Sequence, residues 1–121
     1  MKTPYYLIDE NRMLAAMQKI KSVREVSGAK SVLALKCFST WCAFDFMKDY
    51  LVGTTSSSLY EAKLGHEKFG GETHGYSVAY TDDEIDEVIS VCGKIIFNSL
   101  SQLNRHIDKA KRSDVSVGLR L

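Results

Sequence analysis

The sequence predicts an α/β protein in which strands and helices alternate, as in the N-terminal part of a TIM-type (β/α)8 barrel. Five segments of strand character begin 20 to 22 residues apart, at Ser31, Gly53, Thr73, Lys94 and Val115. Helix-starting residues follow the first four at once, three times as a capping box: Ser58–Glu61, Thr81–Glu84 and Ser99–Gln102. Such a repeat implies parallel strands joined by right-handed crossovers. Its regularity favours a barrel, and an open doubly wound sheet remains the alternative.

The first third of the chain adds an opening strand and a long helix to this repeat. The aromatic and branched residues of Thr3–Ile8 predict a strand. Asp9 or Asn11 is expected to cap the next helix, and Ser27-Gly28 to end it. Helical spacing predicts that one face of this helix is apolar and packs inward, with Met13, Leu14, Met17, Ile20 and Val23. The opposite face is expected to be charged and exposed, with Lys19, Lys21, Arg24 and Glu25. Ser31–Lys36 is then the first strand of the repeat.

The later units follow the same order. Ser39 or Thr40 caps a helix that is expected to reach about Tyr50, with Trp41, Phe44, Met47 and Leu51 on its apolar face. A polar strand after Gly53 precedes the helix from Ser58 to Phe69. The remaining predicted strands are His74–Tyr80, Lys94–Asn98 and Val115–Leu121. Between them, the inward helix positions are Ile85, Val88, Ile89, Leu103, Ile107 and Ala110.

Composition limits the classes of partner. The 121 residues suit one domain, and 16 basic against 15 acidic residues leave a net charge of +1, which favours neither nucleic acid nor an acidic membrane. No segment reads as a membrane span or a signal peptide. Cys37, Cys42 and Cys92 are odd in number and form no C-x-x-C pair, so reduced thiols in a cytoplasmic protein are expected, without a zinc site. No G-x-G-x-x-G follows the first strand, which weakens a dinucleotide-binding interpretation.

A complete barrel takes about 250 residues, and only five of its strands can be counted here. We therefore expect residues 1–121 to be the N-terminal portion of a barrel in a longer protein. An isolated half barrel would leave open sheet edges. The fragment alone is therefore expected to be inactive and poorly soluble.

Lys36 is the candidate catalytic residue. It closes an apolar strand, at the strand end where (β/α)8 enzymes place their chemistry. Alternation puts Val32, Ala34 and Lys36 on one side of the sheet, so that the small Ala34 leaves room beneath the lysine. A lysine buried there would have a lowered pKa and a nucleophilic neutral amine. Its natural use is a Schiff base with pyridoxal phosphate or directly with a substrate; solvent exposure at a strand end is the plain alternative.

Several stretches resemble a known family. Thr3–Asp9, Ala34-Leu-Lys-Cys37 and the polar strand leading to Ser58 and Glu61 resemble the fold-type III pyridoxal phosphate decarboxylases, which include ornithine, arginine and diaminopimelate decarboxylases. Leu33–Phe38, Ser57–Glu61 and His74–Tyr80 are most similar to the carboxynorspermidine (carboxyspermidine) decarboxylase branch. The resemblance covers essentially the whole chain.

The resemblance implies an alanine racemase-like barrel that binds pyridoxal 5'-phosphate and is followed by a C-terminal β-domain. Lys36 would hold the cofactor as an internal aldimine, and Glu61 falls where relatives keep a glutamate close to that lysine. Thr55 replaces an aspartate of the ornithine decarboxylase relatives, so it receives no catalytic role. The implied activity is decarboxylation of carboxynorspermidine or carboxyspermidine in polyamine biosynthesis. The implied assembly is a homodimer that shares its active sites, with the other site residues beyond Leu121.

Alternatives and secondary candidates complete the predictions. The function could instead be decarboxylation of diaminopimelate or ornithine, non-catalytic binding of pyridoxal phosphate, or cofactor-free Schiff-base lyase chemistry. Glu61 reads equally well as a capping-box residue. The remaining polar candidates fall into three groups by expected placement: His66 and His106 on solvated faces, His74 in a structural role, and Arg120, Tyr76 and Tyr80 near the site or in the core.

Overall fold

The computed structural model describes residues 2–121 and forms one five-stranded parallel sheet. The strands are β1 (Val32–Ala34), β2 (Gly53–Ser56), β3 (Glu72–Tyr76), β4 (Lys94–Phe97) and β5 (Ser116–Leu119). Their order in the sheet is the order in the chain, β1-β2-β3-β4-β5. Right-handed crossovers that always advance in the same direction along a sheet place all their helices on one face. The sequential strand order is therefore that of a singly wound sheet, as in a barrel, and not that of a doubly wound sheet. The α/β prediction is confirmed.

The helices occupy the predicted connections. They are α1 (Glu10–Ser27), α2 (Phe44–Met47) after a 3-10 turn at Trp41–Ala43, α3 (Leu59–Leu64), α4 (Ile85–Val91) and α5 (Leu100–Ala110). A π-helical segment, Gly65–Phe69, extends α3. No helix among the described residues is both long and apolar enough to cross a membrane.

The predicted opening strand at Thr3–Ile8 is wrong. The segment has no strand pairing, it bends at Thr3-Pro4, and Tyr5, Tyr6 and Leu7 are exposed. Strand propensity reflects packing on a pleated surface, and within residues 2–121 no neighbouring strand offers this segment one. The Asp9 cap is confirmed, since its carboxylate accepts hydrogen bonds from the backbone N–H groups of Asn11 and Arg12.

Two positions of α1 differ from the prediction. Val23 is exposed, whereas Arg24 is half-buried and donates to the carbonyl of Tyr50. The reason is helical spacing, because Met17, Ile20 and Arg24 form an i, i+3, i+7 stripe that faces the core. The aliphatic stem of arginine can line such a stripe while its guanidinium reaches a polar group. Gly28 ends the helix with φ at 69°, as predicted.

The next helix is shorter than predicted, because α2 ends at Met47 instead of continuing to Tyr50. Phe44, Met47 and Leu51 are buried as expected, but Trp41 is 61% exposed. Trp41 lies in the 3-10 turn before α2, where the spacing of an α-helix does not yet apply.

The two faces of the sheet differ sharply. Residues facing the helices are buried and form what we call the covered face: Leu35, Thr54, Ser56, Thr73, Ile95 and Phe97. The alternate positions of the strands form the open face. In the pairing register, Ala34 lies beside Thr55, Thr55 beside His74, and Tyr76 beside Ile96. The helices therefore shield one face and leave the other, with its polar side chains, available.

His106 corrects a prediction. It is 1% exposed instead of solvated, and its ring stacks on Phe97 with centroids 6.3 Å apart. Its Nε2 lies 3.3 Å from the carbonyl oxygen of Tyr80. Tyr80 itself is in the core rather than in a strand, since β3 ends at Tyr76. His106 thus joins α5 to the loop after β3, which is a structural role.

Candidate functional site

A small cavity lies where β1, β2 and β3 end. Its volume is about 90 Å³, and six residues line it: Ala34, Lys36, Thr55, Ser56, Ser57 and Tyr76. All six come from the carboxyl ends of neighbouring strands or the residues just after them. This is the end at which (β/α)8 proteins carry their chemistry. The structure therefore brings the predicted lysine together with polar groups of the next two strands.

Lys36 lies two residues beyond the end of its strand, not on its last residue as predicted. Leu35 still pairs with β2, its N–H donating to the carbonyl of Thr55 over 3.0 Å. The carbonyl of Ala34 then accepts from the N–H groups of Cys37 and Phe38, closing a turn that presents Lys36. Ala34 lines the cavity beneath it, as the small residue suggested.

Among the described residues the side chain of Lys36 is exposed, which is the plain alternative that the sequence left open, and its burial in a complete barrel stays a prediction. Only three strand ends surround the cavity, so the ammonium group keeps its water instead of losing several kcal/mol of hydration. Lys36 is the one charged residue among the six that line the cavity. The amine is therefore accessible and has no carboxylate beside it in the lining.

Hydroxyl groups make up the wall that β2 contributes. Ser56 lines the cavity from the strand end, while its side chain lies on the covered face and donates to the carbonyl oxygen of His74 over 2.9 Å. Thr55 of the open face also lines the cavity. Since these groups are uncharged, the wall can accept or donate hydrogen bonds without adding a charge near Lys36.

Glu61 reaches the cavity through another residue. Its carboxylate accepts from the N–H of Ser57 at 2.6 Å and from the hydroxyl of Ser57 at 2.8 Å. Its own N–H donates to Ser58 Oγ over 3.2 Å, so the capping-box interpretation is confirmed at the backbone. The side chain, however, holds Ser57 instead of the cap residue, and Glu61 does not line the cavity. A contact between Glu61 and a cofactor stays a prediction.

A hydrogen-bonded row continues from the cavity wall across the ends of β4 and β5. The hydroxyl of Tyr76 donates to Asn98 Oδ1 over 3.2 Å and accepts from the guanidinium of Arg120. The guanidinium carbon lies 5.6 Å from the centre of the Tyr76 ring. Arg120 therefore reaches the strand-end region, as its position beyond Gly118 suggested. Sequence reasoning missed Asn98, although it stands at the same strand-end position as its neighbours on the open face.

The histidines lie away from this cavity. His66 is exposed, as predicted. His74 is half-buried, and its Nε2 lies 3.0 Å from the carboxylate of Glu72, which also pairs with Lys30. Hydrogen bonds from Lys30 and then His74 lower the pKa of Glu72. These groups are next to a larger cavity of about 420 Å³ at the amino ends of β3 and β4. That end of a (β/α)8 sheet contributes stability instead of catalysis, so we assign the site to the smaller cavity.

Nothing in the described part of the chain resembles a metal centre, since no three of its histidine, cysteine, aspartate and glutamate residues are grouped to hold an ion. The cysteines are all thiols, exposed at Cys37 and Cys42 and buried at Cys92.

A scan of protein-family models gives no match. Over 119 residues, 98% of its length, the chain is 62% identical to a carboxynorspermidine/carboxyspermidine decarboxylase of Herminiimonas arsenicoxydans and covers 32% of it. It is 40% identical to the enzyme of the same name from Campylobacter jejuni and 31% identical to a carboxyaminopropylagmatine decarboxylase of Synechocystis, covering 31% of each.

A solved structure agrees with these relatives. The crystal structure of carboxynorspermidine decarboxylase from Campylobacter jejuni, complexed with norspermidine, superposes with a TM-score of 0.92 at 38% identity. The match covers 97% of this chain and 31% of that one. The chain thus spans about a third of the relatives it matches, and over that third it is similar to carboxynorspermidine/carboxyspermidine decarboxylases.

Proposed function

We propose that this chain is the N-terminal, lysine-bearing part of a pyridoxal phosphate-dependent decarboxylase that acts on carboxynorspermidine or carboxyspermidine in polyamine biosynthesis. The observation that carries the proposal is the accessible Lys36 in a strand-end cavity, within a chain 62% identical to an enzyme of that name. A sheet of five sequential parallel strands supports the inference that residues 1–121 belong to a (β/α)8 barrel completed by further chain.

The cavity residues fit the chemistry of pyridoxal phosphate. An aldehyde needs a primary amine that can reach it, and Lys36 is exposed at the cavity. A polar aromatic ring system needs a wall of aromatic and hydroxyl groups, which Tyr76, Thr55 and Ser57 provide. When bound, pyridoxal phosphate supplies the electron sink that lets an amine-bearing carbon lose carbon dioxide.

Each described residue has a limited task in this scheme. Lys36 would provide the amine that holds the cofactor. Ala34 keeps space beneath it. Thr55 and Ser57 present hydroxyl groups to the bound molecule, and Glu61 orients Ser57. Part of the cavity is still open to water in residues 2–121, so the proposal assigns its closure to the rest of the enzyme.

The first test concerns Lys36 in the whole enzyme. Borohydride reduction followed by peptide mapping should place the cofactor on Lys36. Lys36→Ala should abolish nearly all release of carbon dioxide, a loss of at least about a thousandfold because the covalent route is removed. The matched control is Lys94→Ala, since Lys94 starts β4 on the same face but at the opposite end of the strands. A label on another lysine, or substantial turnover without Lys36, would contradict the assignment.

The identity of the substrate has a specific alternative. The relative from Synechocystis is named for carboxyaminopropylagmatine, although it is less similar at 31% identity. Assaying carboxynorspermidine, carboxyspermidine, carboxyaminopropylagmatine, diaminopimelate and ornithine side by side would decide between them. We expect the first two to have the highest kcat/KM. Cofactor binding without carbon dioxide release from any of the five would instead support a non-catalytic binding protein.

We further propose that the whole enzyme is a cytoplasmic homodimer without nucleic-acid or membrane partners. The balanced charge of +1 supports the absence of a polyanionic partner. Exposed thiols at Cys37 and Cys42 suit a reducing compartment. Light scattering of the whole protein gives the oligomeric state directly.

A further inference from the structure

The row formed by Tyr76, Asn98 and Arg120 has a direction that limits what Tyr76 can do. A phenol carries one proton to donate, and Tyr76 donates it to Asn98 Oδ1 over 3.2 Å. The phenol oxygen also accepts a hydrogen bond from the guanidinium of Arg120. Both functions of the hydroxyl are therefore used within the protein. Tyr76 lines the Lys36 cavity, but its proton is already committed elsewhere.

Asn98 is itself fixed in place. Its N–H donates to the side-chain oxygen of Gln102 over 2.8 Å, and Gln102 is a nearly buried residue in the first turn of α5. The N–H of Gln102 is bound in turn by the cap residue Ser99. The backbone of Asn98, which carries the side chain that orients the Tyr76 hydroxyl, is thus anchored to a helix and not to a free loop.

Arg120 receives two contacts from the same tyrosine. Its guanidinium lies over the Tyr76 ring, with 5.6 Å between the guanidinium carbon and the ring centre, and donates to the Tyr76 hydroxyl. Cation–π contact and a hydrogen bond together restrict a long side chain that would otherwise sample many rotamers. Arg120 is exposed in the described residues, so this restriction is not the by-product of burial.

We propose that Tyr76 is a positioning residue, which holds the guanidinium of Arg120 as a fixed positive charge beside the Lys36 cavity, with Asn98 orienting its hydroxyl. The proposal rests on the proposed function, in which both the cofactor and the carboxylated substrate bring anionic oxygens to this site. A preoriented guanidinium stabilises such an oxygen more than a mobile one does, because no ordering is needed when the charge arrives. Tyr76 acts through Arg120 and not as a proton donor.

The test uses the whole enzyme with Tyr76→Phe, Arg120→Ala and the double variant. Tyr76→Phe keeps the ring and removes only the hydroxyl, so kcat/KM should fall about tenfold, the equivalent of one hydrogen bond to a charged group. Arg120→Ala should reduce it roughly a hundredfold. The double variant should be no worse than Arg120→Ala, because the hydroxyl works through the arginine. Tyr60→Phe is the matched control, since Tyr60 is 80% exposed on α3.

A second measurement does not depend on activity. In NMR spectra of ¹⁵N-labelled protein, hydrogen bonding slows rotation of the Arg120 guanidinium and separates its two Nη signals. Tyr76→Phe should merge them, whereas Tyr60→Phe should not. Independent, multiplying losses in the double variant would overturn the proposal, as would unchanged Nη signals in Tyr76→Phe. If the parent enzyme releases no carbon dioxide from any substrate, the proposed function fails, but the NMR comparison still decides the role of Tyr76.

Discussion

Removing the carboxylate of Glu61 should loosen one wall of the Lys36 cavity. The Ser57 N–H donates to this carboxylate at 2.6 Å, and its hydroxyl does so at 2.8 Å. A hydrogen bond to a charged group contributes about 1.5–3 kcal/mol, and the lower figure applies because Ser57 is exposed. In Glu61→Ala the Ser57 amide should therefore open about tenfold more often, since ~1.4 kcal/mol corresponds to a factor of ten.

Hydrogen–deuterium exchange of the whole protein measures this opening in the peptide that covers residues 53–62. Glu61→Gln keeps an acceptor oxygen without the charge and should give an intermediate rate. The matched control is Glu84→Ala, because Glu84 accepts from the Thr81 hydroxyl in the turn that precedes α4, away from the cavity; the predicted capping box at Thr81 does not itself start this helix. Equal exchange in Glu61→Ala and the unchanged protein would refute the reasoning. A loss of protection spread evenly over the whole sheet would also refute it, because the variant would then destabilise the whole fold and not the Ser57 segment alone.

Two further predictions concern the sheet and its core. Gly53→Ala should destabilise the fold by more than about 3 kcal/mol, because the new Cβ would lie 1.9 Å from the backbone oxygen of Glu72. Gly93→Ala is the control and should be tolerated, because a Cβ there would have nothing within 4 Å. Urea denaturation of the two variants compares their stabilities, and equal midpoints would contradict the close approach of β2 and β3 at Gly53. Burial raises the pKa of the Cys92 thiol to about 11, because the charged thiolate is less stable in the core than the neutral thiol. The neutral thiol therefore contributes fully to the unfolding free energy below the unfolded-state pKa near 9, and this contribution is lost as pH rises towards 11. Unfolding free energy should thus fall by about 2 kcal/mol over that range, and a Cys92→Ala variant that keeps the same pH slope would rule out the thiol as its source.

Much of the fold was predictable because the local signals agree with one another. The capping boxes at Ser58 and Ser99 start helices where they were expected, and the repeat gives the parallel order of the five strands. Each cap is a short-range hydrogen bond between residues three apart, so the sequence contains all of its partners. Strand order follows from chain order once every crossover has the same hand.

The misses share a different cause, which is dependence on distant residues. The Thr3–Ile8 segment has strand composition, but pairing needs a neighbour that its own sequence cannot specify. His106 carries polar neighbours in sequence and yet packs on Phe97, because α5 turns that position towards the sheet. The row from Tyr76 to Arg120 spans 44 residues, and no local pattern signals it. Lys36 was found from its place in the repeat, whereas its exposure depends on what surrounds the cavity.

The two faces of the sheet have a consequence for how such an enzyme can diversify. Along each strand, residues that pack on the helices alternate with residues of the open face. Ile95 and Phe97 of β4 are examples of the first kind, and Thr55 of β2 and Tyr76 of β3 are examples of the second. Selection can therefore alter the lining without disturbing the packing that keeps the chain folded. A variant library confined to open-face positions should consequently yield many folded proteins that differ in substrate preference.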